Sequence, residues 1–242
     1  MRIQSVEIEA WDVELTEPFG IATGAQVLAQ NVLLELELES GVRGLGEAAP
    51  FPAVNGETQT DALSALSAIR DELVGYQGTD AQALSPAALA RLEATPSALA
   101  ALEMALLDAA CREAGTSLFQ HFGGRVARLE TDITIPTGSA DEAARAALRA
   151  MSQGFRTLKV KVGGKAFDHD LERLRSIAQA APRARLLLDA NASMPGAEAI
   201  ALVRGLGAQK SQVVLFEQPC LRGDYAGSRA VREASIRVAA DE

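Results

Sequence analysis

Alternation of apolar and polar residues dominates the first 48 positions. In "NVLLELELES", Val32, Leu34, Leu36 and Leu38 share one face of a strand, and "IQSVEIEAWDVEL" alternates more loosely before it. A Ser40–Gly41 turn leads into "VRGLGEA", so the pattern predicts a small antiparallel meander. From Thr58 to Gly123 the period lengthens to that of a helix. Thr58 to Val74 is one predicted helix. The next runs through "TPSALAALEMALLDAACREAG", with Thr95 as N-cap, Pro96 at the first helical position and Gly115 just past the end. Trp11 and the stripe Leu99, Leu102 and Leu106 are expected in the core. Strands followed by helices predict a separate α+β domain over residues 1–125.

Beyond this boundary, over residues 126–242, the pattern becomes strictly alternating. "TDITIP", "FRTLKVKV", "ARLLLDAN", "QVVLFEQP" and "IRVAADE" read as strands, with a helical segment between each pair. Short connections and strict alternation predict an α/β architecture with a parallel sheet and right-handed crossovers. Polar residues recur in phase with it. Lys161, Asp189, Glu217 and Asp241 each stand at the carboxyl end of a predicted strand, 28, 28 and 24 residues apart. Four neighbouring strands contributing in series favour a (β/α) barrel, whose active sites lie at that end, over an open doubly wound sheet. A closed barrel takes eight strands, and this chain supplies about five. The expectation is therefore a partial copy of a longer protein, or a barrel completed by another segment.

Within "TLKVKVGG", Lys159 and Lys161 share one strand face, and Leu158, Val160 and Val162 share the other. A solvated edge strand carries such charges as protection. Three phased carboxylates downstream favour a cleft instead. Asp189, Glu217 and Asp241 would repel one another when empty. A hard divalent cation resolves that, and all-oxygen ligation suits Mg²⁺, with Asn191 supporting from behind. Burial and a second positive charge push a lysine towards its neutral form, in which it can act as a base. A lysine beside a bound carboxylate substrate is arranged to remove the proton α to that carboxylate, with the cation stabilising the resulting enediolate.

The net charge of −9 argues against a nucleic-acid surface. Cys111 and Cys220 are too few and too far apart for a disulfide framework, and read as buried free thiols. The N-terminus has no leader pattern and no 18-residue apolar run occurs, so no membrane partner and a cytoplasmic location are expected. The glycines of "VGGK" lack the spacing of a phosphate loop and read as a turn. His121 and His169 stand away from the strand ends, in ordinary surface or capping roles.

"KVKVGG", "LLLDAN", "FEQP" and the final "ADE", in this order and at barrel spacing, resemble the strand-end signatures of the enolase superfamily, in its muconate-lactonizing subgroup. Pairing a lysine base with Mg²⁺ is already established for enolase-superfamily sites. Within the subgroup the chain looks most like the dipeptide epimerases that act on L-Ala-D/L-Glu. Residues 1–125 are similar to the family's capping domain, including "PFGIATG" and "GEAAPFPAVNGET". The resemblance implies Mg²⁺ ligation by Asp189, Glu217 and Asp241, with Asn191 and Glu242 behind them. It implies Lys161 as the base for one face of the α-carbon and Lys159 as its electrostatic partner near the substrate carboxylate. Thr137, Phe19, Ile21 and Phe51 would contact the substrate, a dipeptide or acylamino acid.

Two departures are visible: "IATG" stands where some members carry an arginine, and the sixth-strand lysine for the opposite face is absent. N-acylamino-acid racemase, o-succinylbenzoate synthase and muconate cycloisomerase share the scaffold and are the enzymatic alternatives. A non-catalytic fragment or interaction partner is the alternative of another class. A homo-oligomer or a completing segment is the expected protein partner.

Overall fold

The computed structural model describes residues 1–21, 24–125, 128–163 and 166–241, and the side chains of 17, 20, 21, 24 and 25 are also outside the description. The chain divides into two compact units. One comprises Met1–Glu17 and Val27–Arg128, the other Pro18–Gln26 and Leu129–Glu242. Each has its own hydrophobic core.

The first unit holds most of a sheet in the order β1 (Ile3–Ile21), β2 (Gly24–Leu38), β3 (Arg43–Ala48), the end of β1 from Pro18 and the start of β2 up to Gln26 being counted in the second unit. β2 and β3 pair antiparallel, from Val32 opposite Ala48 to Glu37 opposite Arg43. Val32, Leu34, Leu36 and Leu38 are all fully buried, as their alternation requires. Helices α1 (Pro52–Asn55), α2 (Gln59–Leu73), α3 (Pro86–Glu93), α4 (Pro96–Glu113) and α5 (Leu118–His121) follow. β3 lies directly against α4. A methyl group at Gly46 would stand 1.8 Å from the Ala101 carbonyl oxygen, and one at Gly44 2.3 Å from that of Ala105. Bare backbone on the strand and alanines on the helix permit this approach.

Three details of the sequence reading change here. Thr95 occupies the N-cap of α4 but makes no side-chain cap. The buried carboxylate of Glu57 takes its place, accepting from the Ser97 N–H at 3.2 Å and the Ser97 hydroxyl at 3.1 Å. Trp11 is 43% exposed, outside the core. Leu102 and Leu106 are buried as expected, whereas Leu99 is only partly so.

The second unit contains β4 (Ile133–Ile135), β5 (Thr157–Lys161), β6 (Arg185–Asp189), β7 (Val213–Glu217) and β8 (Val238–Ala239), all parallel and in sequential order. Helices α6 (Ala140–Ser152), α7 (Phe167–Ala180), α8 (Gly196–Gly205) and α9 (Tyr225–Glu233) connect them. Sequential order with crossovers of one hand puts every helix on the same side of the sheet. That is the wall of a barrel, since a doubly wound sheet reverses its order to cover both faces. Leu158, Val160, Val162, Leu186, Leu188 and Phe216 point to the helical side and form the core with α6 to α9. The opposite face is left for Lys159, Lys161, Asp189 and Glu217. Cys111 and Cys220 are buried free thiols.

Candidate active site

Register assembles the site before any side chain is considered. Lys161 pairs with Asp189, and Asp189 with Glu217, so the three stand side by side on consecutive strands. Residues paired across a sheet point to the same face. The phase seen in the sequence is therefore a row in space. Lys159 lies two residues earlier on β5, on that same face.

The side chains close into one charged network. Lys161 is buried, and its Nζ donates to Asp189 Oδ2 at 2.6 Å and to Asn191 Oδ1 at 3.0 Å. Lys159 Nζ reaches up to Asp189 Oδ2 at 2.9 Å and to Glu217 Oε1 at 2.6 Å. Asp189 is fully buried, and its Oδ1 accepts the Asn191 N–H at 2.9 Å. Asn191 and Ala192 have left-handed backbone conformations, as does Gln218. Asn tolerates that region better than most residues.

The network sets each charge. Burial would raise the Asp189 carboxyl, but the hydrogen bonds from Lys161, Lys159 and the Asn191 N–H outweigh it and hold Asp189 below the usual carboxylate range. Burial works to lower Lys159. Its hydrogen bonds to Glu217 and Asp189 win, and Lys159 is held above the ordinary lysine value. Two carboxylates from the next strands thus keep Lys159 charged against the effect of burial. Glu217 is raised, by burial first and then by the charges of Asp189 and Asp241 against the lowering effect of Lys159.

Asp241 stands apart from the row. Glu217 pairs with Ala239, so Asp241 lies two residues beyond that level, roughly 6–7 Å further along the strand direction at ~3.3 Å per residue. It is exposed, and its N–H donates to Gln218 Oε1 at 2.8 Å. Among the described residues no three carboxylate, imidazole or thiolate groups come close enough together to hold a metal ion. The donor chemistry nevertheless suits one. Asp189 and Glu217 converge from adjacent strands on a single positive charge, the Lys159 ammonium, and Asp241 already acts on Glu217 electrostatically. All of these donors are oxygens, the preference of Mg²⁺.

Thr137 follows β4, the strand next to β5, and is half-buried. Phe19 and Phe51 are half-buried, in the second and first unit respectively. The side chain of Ile21 and the whole of Glu242 lie outside the described residues. Sequence reasoning missed Gln218, which bonds Asp241 and donates to the Cys220 carbonyl at 3.0 Å. Its position directly after a strand-end carboxylate was the available signal.

Comparison with known proteins places the chain in a family. A family described as "Mandelate racemase / muconate lactonizing enzyme, N-terminal domain" matches residues 4–123, and "Enolase C-terminal domain-like" matches residues 142–242. An aromatic dipeptide epimerase of Herpetosiphon aurantiacus is 42% identical over 241 residues, which are 99% of this chain and 68% of that protein.

The chain belongs to the enolase superfamily.

Solved structures in this superfamily agree with it along the whole chain. The substrate-liganded L-Ala-D/L-Glu epimerase of Bacillus subtilis has a TM-score of 0.90 at 32% identity, covering 100% of this chain and 68% of that one. The dipeptide epimerase of Enterococcus faecalis, complexed with Mg and L-Leu-L-Tyr, has a TM-score of 0.89 at 29% identity, with the same coverage. Among the described residues of this enolase-superfamily chain, no single helix is long and apolar enough to cross a membrane.

Proposed function

We propose that the protein epimerises dipeptides by removing the proton α to a carboxylate, with Lys161 as the base for one face of the α-carbon. The observation that carries this reading is the buried Lys161 Nζ, fixed at 2.6 Å from Asp189 in the row of strand ends. Dipeptide epimerases among the relatives support the substrate class.

Asp189, Glu217 and Asp241 would hold Mg²⁺, which when bound neutralises these carboxylates and draws electron density from a substrate carboxylate. The buried Lys161 Nζ would accept the α-proton. Lys159 keeps a positive charge below the reacting level and favours the negative charge that develops on the substrate carboxylate. Asn191 holds Lys161 Nζ in line through its side-chain oxygen. Thr137, Phe19, Ile21 and Phe51 would contact the dipeptide, with Asn191 and Glu242 behind the metal ligands.

The test is incubation with Mg²⁺ in D₂O of a panel of dipeptides with acidic, aliphatic and aromatic second residues, following the α-proton signal by NMR. The proposal expects exchange for at least one class, abolished by chelation. No exchange with any dipeptide, or a lactone product from muconate instead, contradicts it.

A further inference from the structure

Lys161 is held from two directions, and the network above accounts for only one. Its side chain is fixed by Asp189 and Asn191. Its backbone is fixed by an ion pair on α7 that the proposed chemistry does not use. Arg173 is fully buried and Asp170 nearly so, one turn apart on the helix face that packs against the sheet. Arg173 Nη1 donates to the Lys161 carbonyl at 2.9 Å and to Asp170 Oδ1 at 3.3 Å, and Nη2 donates to the Pro136 carbonyl at 2.7 Å. Asp170 Oδ2 accepts the Gly163 N–H at 2.6 Å. Three backbone groups are engaged, immediately around Lys161 and immediately before Thr137.

The local sequence explains why a side chain is needed there. Pairing of β4 with β5 runs from Ile133–Leu158 to Ile135–Val160 and stops. The residue that follows β4, Pro136, has no N–H with which to continue the ladder. One guanidinium spans the place where the ladder ends and joins the two strand ends through their carbonyls. Beyond Lys161 the chain must turn sharply. Gly163 has φ of +83°, and a methyl group there would lie 1.9 Å from Ser193 Oγ. The Asp170 carboxylate holds that turn by its N–H. A planar group with several fixed donors suits this bridge, whereas an ammonium offers no equivalent fork.

Stability alone is a weak reason for such a pair. Buried ion pairs are often replaced by apolar residues of similar volume with no loss. Arg173 Nε also has no hydrogen-bond partner among the described residues, which adds to its burial cost. We propose that Arg173 and Asp170 are positioning residues for Lys161, fixing the backbone on both sides of it and tying it to the strand end that carries Thr137. This rests on Lys161 being the base.

The test uses the 242-residue chain labelled with ¹³C-lysine. It contains four lysines, Lys159, Lys161, Lys165 and Lys210, so their Cε–Hε signals can be assigned by single Lys→Arg replacements. The double variant Asp170→Asn, Arg173→Met removes both charges while keeping volume. Arg173→Lys keeps a cation with a poorer fork, and Leu202→Ala, in the same core, is a control for lost stability.

The double variant is expected to shift the Lys161 signal and leave Lys210 in place. Arg173→Lys should return Lys161 part of the way, and Leu202→Ala should leave it unmoved at a comparable loss of denaturation midpoint. In dipeptide exchange, the double variant should lower kcat about 10- to 100-fold, as loss of a supporting contact commonly does, with KM within about twofold. An unmoved Lys161 signal in the double variant, or an equal shift in Leu202→Ala, overturns the positioning role. Absence of exchange in the unsubstituted protein would count against the epimerase reading, and the spectra would still decide this one.

Discussion

Two ammonium groups and two carboxylates share a space in which none is freely solvated, and the balance among them is set residue by residue. Asp189 is the pivot, since both lysines bond its Oδ2. Asp189→Asn would leave Lys161 buried with only the Asn191 oxygen and a weaker amide partner. Breaking a buried pair from one side costs about 3–5 kcal/mol, and that loss should appear as a lower denaturation midpoint. Glu217→Gln should cost less, because Glu217 is only half-buried.

The pH dependence follows from the signs. Lys159 binds its proton more tightly folded than unfolded, so its contribution is complete below the ordinary lysine value of 10.5 and is lost as pH rises through the higher folded value. Asp189 is the reverse: its contribution is present above the ordinary carboxylate range and is lost as pH falls through its lowered folded value. Midpoints measured against pH should therefore fall on the alkaline side, and Lys159→Met should flatten that limb.

Helices and strands meet here through small residues as much as through large ones. β3 packs on α4 because Gly44 and Gly46 face Ala101, Ala105 and Ala109. Gly46→Ala forces backbone apart, because the clash is with a carbonyl and no flexible side chain can yield. A loss of at least ~1–3 kcal/mol is expected from overpacking of this kind, with amide protection falling first in β3 and α4. Unchanged protection there would mean that the strand and helix are not in this contact.

The elements differ in how openly the sequence displayed them. β2 was legible because four leucine-class residues alternate without exception, and β5, β6 and β7 because they end in Lys161, Asp189 and Glu217. The cap of α4 was not, since Glu57 acts on Ser97 across 40 positions and no local pattern links them. Trp11 misled for a related reason: size suggests burial, but a strand face is buried only if something covers it.

At the scale of the whole chain, one regularity carried most of the functional reading. Charged residues repeated once per strand–helix unit, and parallel register converts that repeat into Lys161, Asp189 and Glu217 side by side. The fourth member slipped. Glu217 pairs with Ala239, so Asp241 falls two residues past the level of Glu217. Spacing in sequence cannot report such a slip, because it depends on which backbone groups pair. The Asp170–Arg173 clamp was equally hidden, as an acidic and a basic residue three apart on a helix look like an ordinary surface pair.

The central claim, that Lys161 is the base, is tested most directly by Lys161→Ala with Mg²⁺ in D₂O, using separately the two epimers of a dipeptide that the unsubstituted protein exchanges. The account predicts that α-proton exchange from one configuration disappears in the variant. Exchange from that configuration at the unsubstituted rate, in a variant shown to be folded, would contradict it.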